Sequence, residues 1–260
     1  MARLDGKVAL ITGAGQNVGR EIALYYGAHK AEAVVVNDFY LDRAEEVATE
    51  LREQGVNAIA IQADVSDYDS VMAMGAQVME KFGRVDILVN NAGNAGAGER
   101  PDMKVPFWEQ GPDVWQKQIG VNFNGVINCS TAVIPSMIKS GGGRIITIIS
   151  EAARMGETEL MIYSGAKAGA AGLMRAMARG LGRHQITANC ISIAAMNTPA
   201  VSARLQADPE QFKRIMSKYI IRRMGEAGDV AAMALFLASD ASGWVTGQTY
   251  PVNGGFSFAL

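Results

Sequence analysis

Residues 8–19 read Val-Ala-Leu-Ile-Thr-Gly-Ala-Gly-Gln-Asn-Val-Gly, an apolar run that gives way to a glycine-rich turn. Val8–Ile11 is apolar at every position, as a strand covered on both faces is. The turn ends that strand, and residues 17–28 have the length of a helix. A helix that starts there points its first N–H groups at whatever lies over the turn, and glycine lets the backbone approach it closely. Both features suit a pyrophosphate. The strict GxGxxG spacing fails, because counting from Gly13 puts Val18 where the third glycine belongs. Gly13, Gln16, Asn17, Val18 and Gly19 are the candidate phosphate-binding residues.

The same rhythm of strand and helix runs outward from this unit. Ala33–Asn37, Ala58–Ile61, Ile87–Val89, Ile145–Ile149, Thr187–Ile191 and Thr249–Val252 read as further strands. Helical stretches fall near 42–54, 67–82, 113–139, 161–183 and 228–239. The alternation predicts an α/β fold, a doubly wound, central parallel sheet of about seven strands, in one domain over 1–260. Two stretches near 94–115 and 193–227 break the rhythm. Each follows a strand, so each is expected to form a substrate loop at the carboxyl edge of the sheet.

Composition narrows the class. Apolar residues make up 49% and charged residues 19%, with a net charge of −2, which argues against nucleic acid as partner. No run reaches the roughly 18 apolar residues of a membrane span. The opening MARLDGKVALITG lacks an apolar leader core, so a cytoplasmic protein is expected. Cys129 and Cys190 lie in apolar stretches and read as buried thiols. His29 and His184 have no ligand-like neighbours, so no metal site is expected.

Asp38 follows the second strand. A carboxylate there accepts hydrogen bonds from the adenosine ribose and repels a 2′-phosphate. Residues 13–19 hold no Arg or Lys to offset that repulsion, so the cofactor predicted is NAD rather than NADP. Further along, Tyr163 and Lys167 are four apart in a helix and share a face. The spacing alone is weak, since Tyr26 and Lys30 match it too. Ser150 at the end of a strand distinguishes the later pair. Tyr26 has Gly13 in the corresponding place and reads as an ordinary helix residue.

In this order and spacing the motifs resemble those of the short-chain dehydrogenase/reductase family, along nearly the full chain. Thr12–Gly19 resembles its TGxxxGxG turn, and Asp64-Val65 resembles its adenine-contacting pair. Asn90-Asn91-Ala92-Gly93 is similar to its NNAG motif, and Asn122, Ser150, Tyr163 and Lys167 match its catalytic tetrad. Thr246-Gly247-Gln248 and Asn253-Gly254-Gly255 resemble its closing segment. The resemblance implies a Rossmann-type domain whose Asn91, Ala92, Gly93 and Thr198 also contact the cofactor. It implies Tyr163 as acid/base, with Ser150 holding the substrate oxygen. Lys167 would position the nicotinamide ribose, and Asn122 would seat a water that links Lys167 to solvent. Tyrosine has an ordinary pKa near 10, so a base working near 7 needs about 4 kcal/mol in favour of phenolate. The Lys167 ammonium and the positive nicotinamide are the expected sources. A homo-oligomer, tetramer or dimer, is implied through the helices carrying Asn122 and Tyr163.

Three positions depart from the family pattern. Asn17 replaces a glycine, tolerably, because Asn is the side chain best suited to positive φ. Ile193-Ala194 replaces a Pro-Gly beside the nicotinamide, which predicts an altered pocket wall. Glu151, next to Ser150, reads as a solvated surface residue. Phe107, Trp108, Trp115, Met155, Met161 and Met196 flank the expected pocket mouth; Trp108, Met155 and Met196 are the substrate candidates. The predicted reaction is hydride transfer between NAD(H) and an apolar or cyclic secondary alcohol or ketone. A 3-oxoacyl-thioester reductase is the enzymatic alternative, and a catalytically silent NAD-binding subunit is the alternative of another class.

Overall fold

The computed structural model describes residues 2–93, 105–199, 201 and 208–258. Residues 94–104, 200 and 202–207, which belong to the two expected substrate loops, lie outside the described residues. Seven strands form one sheet: β1 (Val8–Ile11), β2 (Ala33–Asp38), β3 (Ala58–Gln62), β4 (Ile87–Asn90), β5 (Gly143–Ser150), β6 (Ile186–Ile193) and β7 (Thr249–Val252). Their order is β3-β2-β1-β4-β5-β6-β7, and every pairing is parallel. The chain winds outward from β1 to β3, returns to place β4 against β1, and winds outward again to β7. The reversal between β1 and β4 opens a crevice at the carboxyl ends of the strands.

The period of two along each strand divides the core. Ala9, Ile11, Val34, Val36, Val89, Ile146 and Ile191 face a layer made by α1 (Asn17–Ala28), α2 (Leu41–Glu53) and α9 (Ala227–Ala238). Leu10, Val35, Leu88, Ile145, Ile149 and Cys190 face the other layer, made by α3 (Tyr68–Phe82), α5 (Gly125–Lys139) and α7 (Met161–Leu181). Tyr26 is fully buried in the first layer and donates its hydroxyl to the Ala234 carbonyl at 3.0 Å, which is a structural role. Cys129 and Cys190 are free and buried. Further helices are α4 (Pro112–Ile119), α6 (Ala152–Met155) and α8 (Pro209–Met216). Among the described residues no helix is long and apolar enough to cross a membrane.

Two details differ from the sequence expectation. The helix expected over 113–139 is two helices, α4 and α5, joined by a π-helical turn at Gly120–Asn124. A π-turn adds one residue to a turn without interrupting the apolar run, so periodicity does not reveal it. Strand β6 runs two residues past Ile191, and Ile193 pairs with both Ser150 and Val252. Isoleucine can stay in a central ladder where proline, lacking an N–H, is excluded.

Candidate active site

The glycine turn lies where β1 meets the crevice. Gly13 has φ of 59°, and a Cβ there would sit 2.8 Å from the Ala92 Cα. At Gly19 a Cβ would lie 2.4 Å from both the Gly13 carbonyl and the Asn91 Nδ2. Asn17 has φ of 49°, the left-handed conformation expected of it. The Thr12 hydroxyl accepts the N–H groups of Asn91 and Ala92, each at 3.1 Å. Asn91 in turn donates Nδ2 to the carbonyls of Thr12 (3.0 Å) and Gly13 (2.9 Å). Its side chain therefore holds the turn to β4. Gln16 is the residue preceding α1, no side chain caps that helix, and its first turn holds no acidic residue. A close-packed backbone cradle at an uncapped, positively polarised helix end fits a pyrophosphate.

Asp38, nearly buried at the end of β2, accepts the Gly15 N–H at 3.0 Å through Oδ2 and the Tyr40 N–H at 3.1 Å through Oδ1. A Cβ on Gly15 would meet the Arg43 Cβ at 2.6 Å, and the Arg43 guanidinium lies 4.3 Å from the Tyr40 ring centroid. The turn itself holds no cation, as read from sequence, but the fold brings one beside it from α2. Asp64 accepts from the Ser66 N–H (2.8 Å) and hydroxyl (2.7 Å). The Val65 carbonyl takes the Asn128 amide at 3.0 Å, and Val65 packs where a Cβ on Gly125 would stand 2.8 Å away.

The tetrad candidates come from three different elements. Ser150 closes β5, Tyr163 and Lys167 lie in α7, and Asn122 lies in the π-turn. Ser150 lies close enough to the Tyr163 hydroxyl to influence its pKa. A Cβ on Gly93 would be 3.2 Å from both Asn122 Oδ1 and Lys167 Nζ, so the NNAG motif, Asn122 and Lys167 meet at one point. Lys167 is buried and donates to the Ile148 carbonyl at 2.8 Å, while Asn122 donates Nδ2 to the Gln118 carbonyl at 2.8 Å.

Burial pushes the Tyr163 hydroxyl above its ordinary pKa, and nearby Ser150 only partly opposes that rise. Lys167 follows Tyr163 by one turn of α7. Its Nζ sits 6.0 Å from the ring centroid and is turned to Ile148. Burial pushes Lys167 down to about 8, and Cys190 opposes the shift. It remains mostly charged at neutral pH.

Around this centre Trp108 and Met155 are 65% and 61% exposed, so neither is committed to the core. Met196 is partly buried and forms a bridge with Gly225. The Thr198 hydroxyl accepts the Val201 N–H at 3.4 Å. Glu151 contradicts its expectation: it is 3% exposed, ion-paired to Arg154 at 2.9 Å, and accepts a short hydrogen bond from Ser257. Its distant partner Ser257 explains why no local pattern announced it, and a carboxylate is rarely buried unless paired. Among the described residues no cluster of three His, Cys, Asp or Glu could hold a metal ion.

This arrangement belongs to a class defined by fold and site together, and the chain is a member of the short-chain dehydrogenase/reductase family. A family model described as Enoyl-(Acyl carrier protein) reductase matches residues 13–257. The 7alpha-hydroxysteroid dehydrogenase of Escherichia coli (strain K12) is 38% identical over 253 residues, which cover 97% of this chain and 95% of that protein. A 3-oxoacyl-(acyl-carrier-protein) reductase of Staphylococcus aureus is 35% identical over 252 residues, covering 96% and 97%. The solved structure of a 7alpha-hydroxysteroid dehydrogenase complexed with NADH and 7-oxo glycochenodeoxycholic acid matches with a TM-score of 0.89 at 37% identity. That match covers 98% of this chain and 95% of that one. The chain is thus an oxidoreductase of the short-chain type, acting on hydroxyl or keto groups with a nicotinamide cofactor.

Proposed function

We propose that the protein is an NAD-dependent dehydrogenase of secondary alcohols and the corresponding ketones, with an apolar, cyclic substrate. The observation that carries the chemistry is the meeting of Gly93, Asn122 and Lys167 at one point, with Ser150 beside Tyr163. A bound nicotinamide dinucleotide supplies or takes up the hydride. In ketone reduction Ser150 and Tyr163 donate hydrogen bonds to the substrate oxygen, and Tyr163 passes its proton to that oxygen as negative charge develops. Its raised pKa keeps the hydroxyl protonated at neutral pH, as a proton donor requires. In the oxidative direction the phenolate must form, and the Lys167 ammonium lowers its cost while Asn122 holds the water that returns the proton to solvent. Lys167 also binds the nicotinamide ribose. Gly13, Gln16, Asn17, Val18 and Gly19 hold the pyrophosphate, Asp38 the adenosine ribose and Asp64-Val65 the adenine. Ala92, Gly93 and Thr198 complete the cofactor contacts.

NAD is favoured because Asp38 presents a carboxylate where a 2′-phosphate would lie. The apolar ring is favoured by the exposed Met155 and Trp108, and by the 7-oxo steroid bound to the related dehydrogenase. The test is turnover with NADH, followed by absorbance, on cyclic ketones including a 7-oxo steroid, with an acetoacetyl thioester alongside. Cyclic ketones are expected to be reduced fastest. Tyr163→Phe is expected to lower kcat at least about 10³-fold while NADH affinity stays within about twofold. A faster thioester would give the function to the 3-oxoacyl alternative. Turnover of no ketone or thioester, with Tyr163→Phe unchanged from the parent, would leave a silent NAD-binding subunit. The reading includes a homo-oligomer through the helices carrying Asn122 and Tyr163, to be measured by light scattering.

A further inference from the structure

We propose that Glu151 is a positioning residue for the substrate end of the site: its main chain joins the segments that leave β5 and β6, its buried carboxylate joins them to the segment that leaves β7, and together these fix the wall beyond Ser150. The inference rests on the reading above, because it concerns where the ketone sits.

Three segments converge on this one residue, two through its main chain and one through its carboxylate. On the β5 side, the Glu151 carbonyl accepts the N–H groups of Arg154 (3.0 Å) and Met155 (2.8 Å), which forms α6 directly after Ser150. On the β6 side, the Glu151 N–H donates to the Ile193 carbonyl at 2.9 Å. On the β7 side, the Ser257 hydroxyl donates to Glu151 Oε2. Arg154 completes the join. Its Nη1 reaches the Glu151 carboxylate at 2.9 and 3.1 Å and the Ser257 hydroxyl at 2.9 Å, and its Nη2 reaches the Phe258 carbonyl at 2.7 Å. Asn253 braces the same segment, donating to the Ser257 carbonyl at 2.9 Å and accepting from the Gly255 N–H at 3.0 Å.

The network is continuous with the wall that departs from the family pattern. The Tyr219 hydroxyl accepts the Ala195 N–H at 3.0 Å, and the Tyr219 ring packs on Phe256 with centroids 5.3 Å apart. The segment after β6, without Pro-Gly to stiffen it, is thereby held to the segment after β7. Burial pushes the Glu151 carboxyl up, but the donors Ser257 and Arg154 beside it help to outweigh that and hold it below its ordinary value. A buried carboxylate kept ionised and satisfied on several sides is a rigid junction, because removing any partner leaves charge or a donor stranded. The segments it joins carry apolar side chains left exposed, Met155 at 61% and Phe258 at 69%. An apolar rim on an ionic support fits a hydrophobic ring placed against Ser150.

The test uses Glu151→Gln and Ser257→Ala, read by hydrogen–deuterium exchange and by steady-state kinetics with NADH and cyclohexanone. Both variants are expected to speed exchange of the amides over 253–258 about tenfold, with β1–β3 unchanged. Both are expected to raise the cyclohexanone KM about tenfold, with NADH KM and kcat within about threefold. In the double variant the effects should fall short of additive, since both residues act in one network. Glu151→Asp, which keeps the charge, should lie between Glu151→Gln and the parent. Unchanged exchange over 253–258 in both variants overturns the proposal, as does a rise of both KM values together. If the parent protein reduces no ketone, the functional reading fails and exchange alone decides this one. If Glu151→Gln does not fold, Ser257→Ala, which leaves the buried pair intact, decides it.

Discussion

Asp38 presents one carboxylate oxygen to the Gly15 N–H and the other to the Tyr40 N–H, which fixes the carboxylate plane before any ribose arrives. Each oxygen keeps acceptor capacity for a ribose hydroxyl and repels a phosphate. Arg43 stands against the same face of Gly15 as Asp38, stacked on Tyr40, so the cation needed for a 2′-phosphate is already nearby. Asp38→Ala should therefore lower the ratio of kcat/KM for NADH over NADPH by about 30-fold or more, and adding Arg43→Ala should reverse much of the gain in NADPH use. Equal use of the two cofactors by the unmodified protein would overturn the role given to Asp38. The carboxylate was legible from its place after a strand; the cation was not, because it arrives from a separate helix. Glu151 was misread for a similar reason. Its partner Ser257 lies far along the chain, and nothing near it in sequence suggests burial.

Among the elements, the glycine turn and the strands were the most legible, since each follows from local rules of φ, apolar runs and helix starts. Asn17 shows how far that goes: its φ of 49° was anticipated from the tolerance of asparagine alone. The π-turn around Asn122 was not, because an added residue leaves the apolar pattern intact. The turn itself supports a sharper expectation. Gly19 lies against two groups at once, the Gly13 carbonyl and the Asn91 amide, each 2.4 Å from a would-be Cβ. Neither is the free end of a flexible chain, as Asn91 is held by two carbonyls. Gly19→Ala should pull the turn away from β4, weakening NADH binding at least about tenfold and lowering Tm by several degrees, near the ~2–4 °C per kcal/mol of a chain this size. Asn17→Gly should leave binding within about twofold and stability unchanged or slightly higher, because glycine adopts that φ without strain. Fluorescence titration with NADH and thermal melts measure both. A Gly19→Ala protein as tight and as stable as the parent would show that the turn is not closed by that contact.

At the scale of the whole molecule, the parallel sheet delivers Ser150, Asn90 and Asp38 to one edge, and the layer packed on one face delivers Lys167 under the same crevice. Such a convergence places a cation in the core, and stability should register it. Lys167 has a folded pKa of about 8 against 10.5 for the free side chain, with burial as the main cause. Between those values the unfolded chain binds the proton that the folded chain has released, so the stability gained by unloading Lys167 grows as pH rises through the window. Below about 8 both states are charged and the full burial penalty stands, on the order of 3 kcal/mol. Lys167→Met keeps the length and removes the charge, while leaving the Ile148 carbonyl without its 2.8 Å donor, a loss of about 1–3 kcal/mol. The variant should be inactive, yet at pH 7 it should melt no lower than the parent and up to a few degrees higher. That advantage should shrink steadily from pH 8 to pH 10, where the parent no longer carries the buried charge. Melting curves across that range decide it: a variant weaker than the parent by the same margin at every pH would mean that the Lys167 ammonium sits in the core without strain.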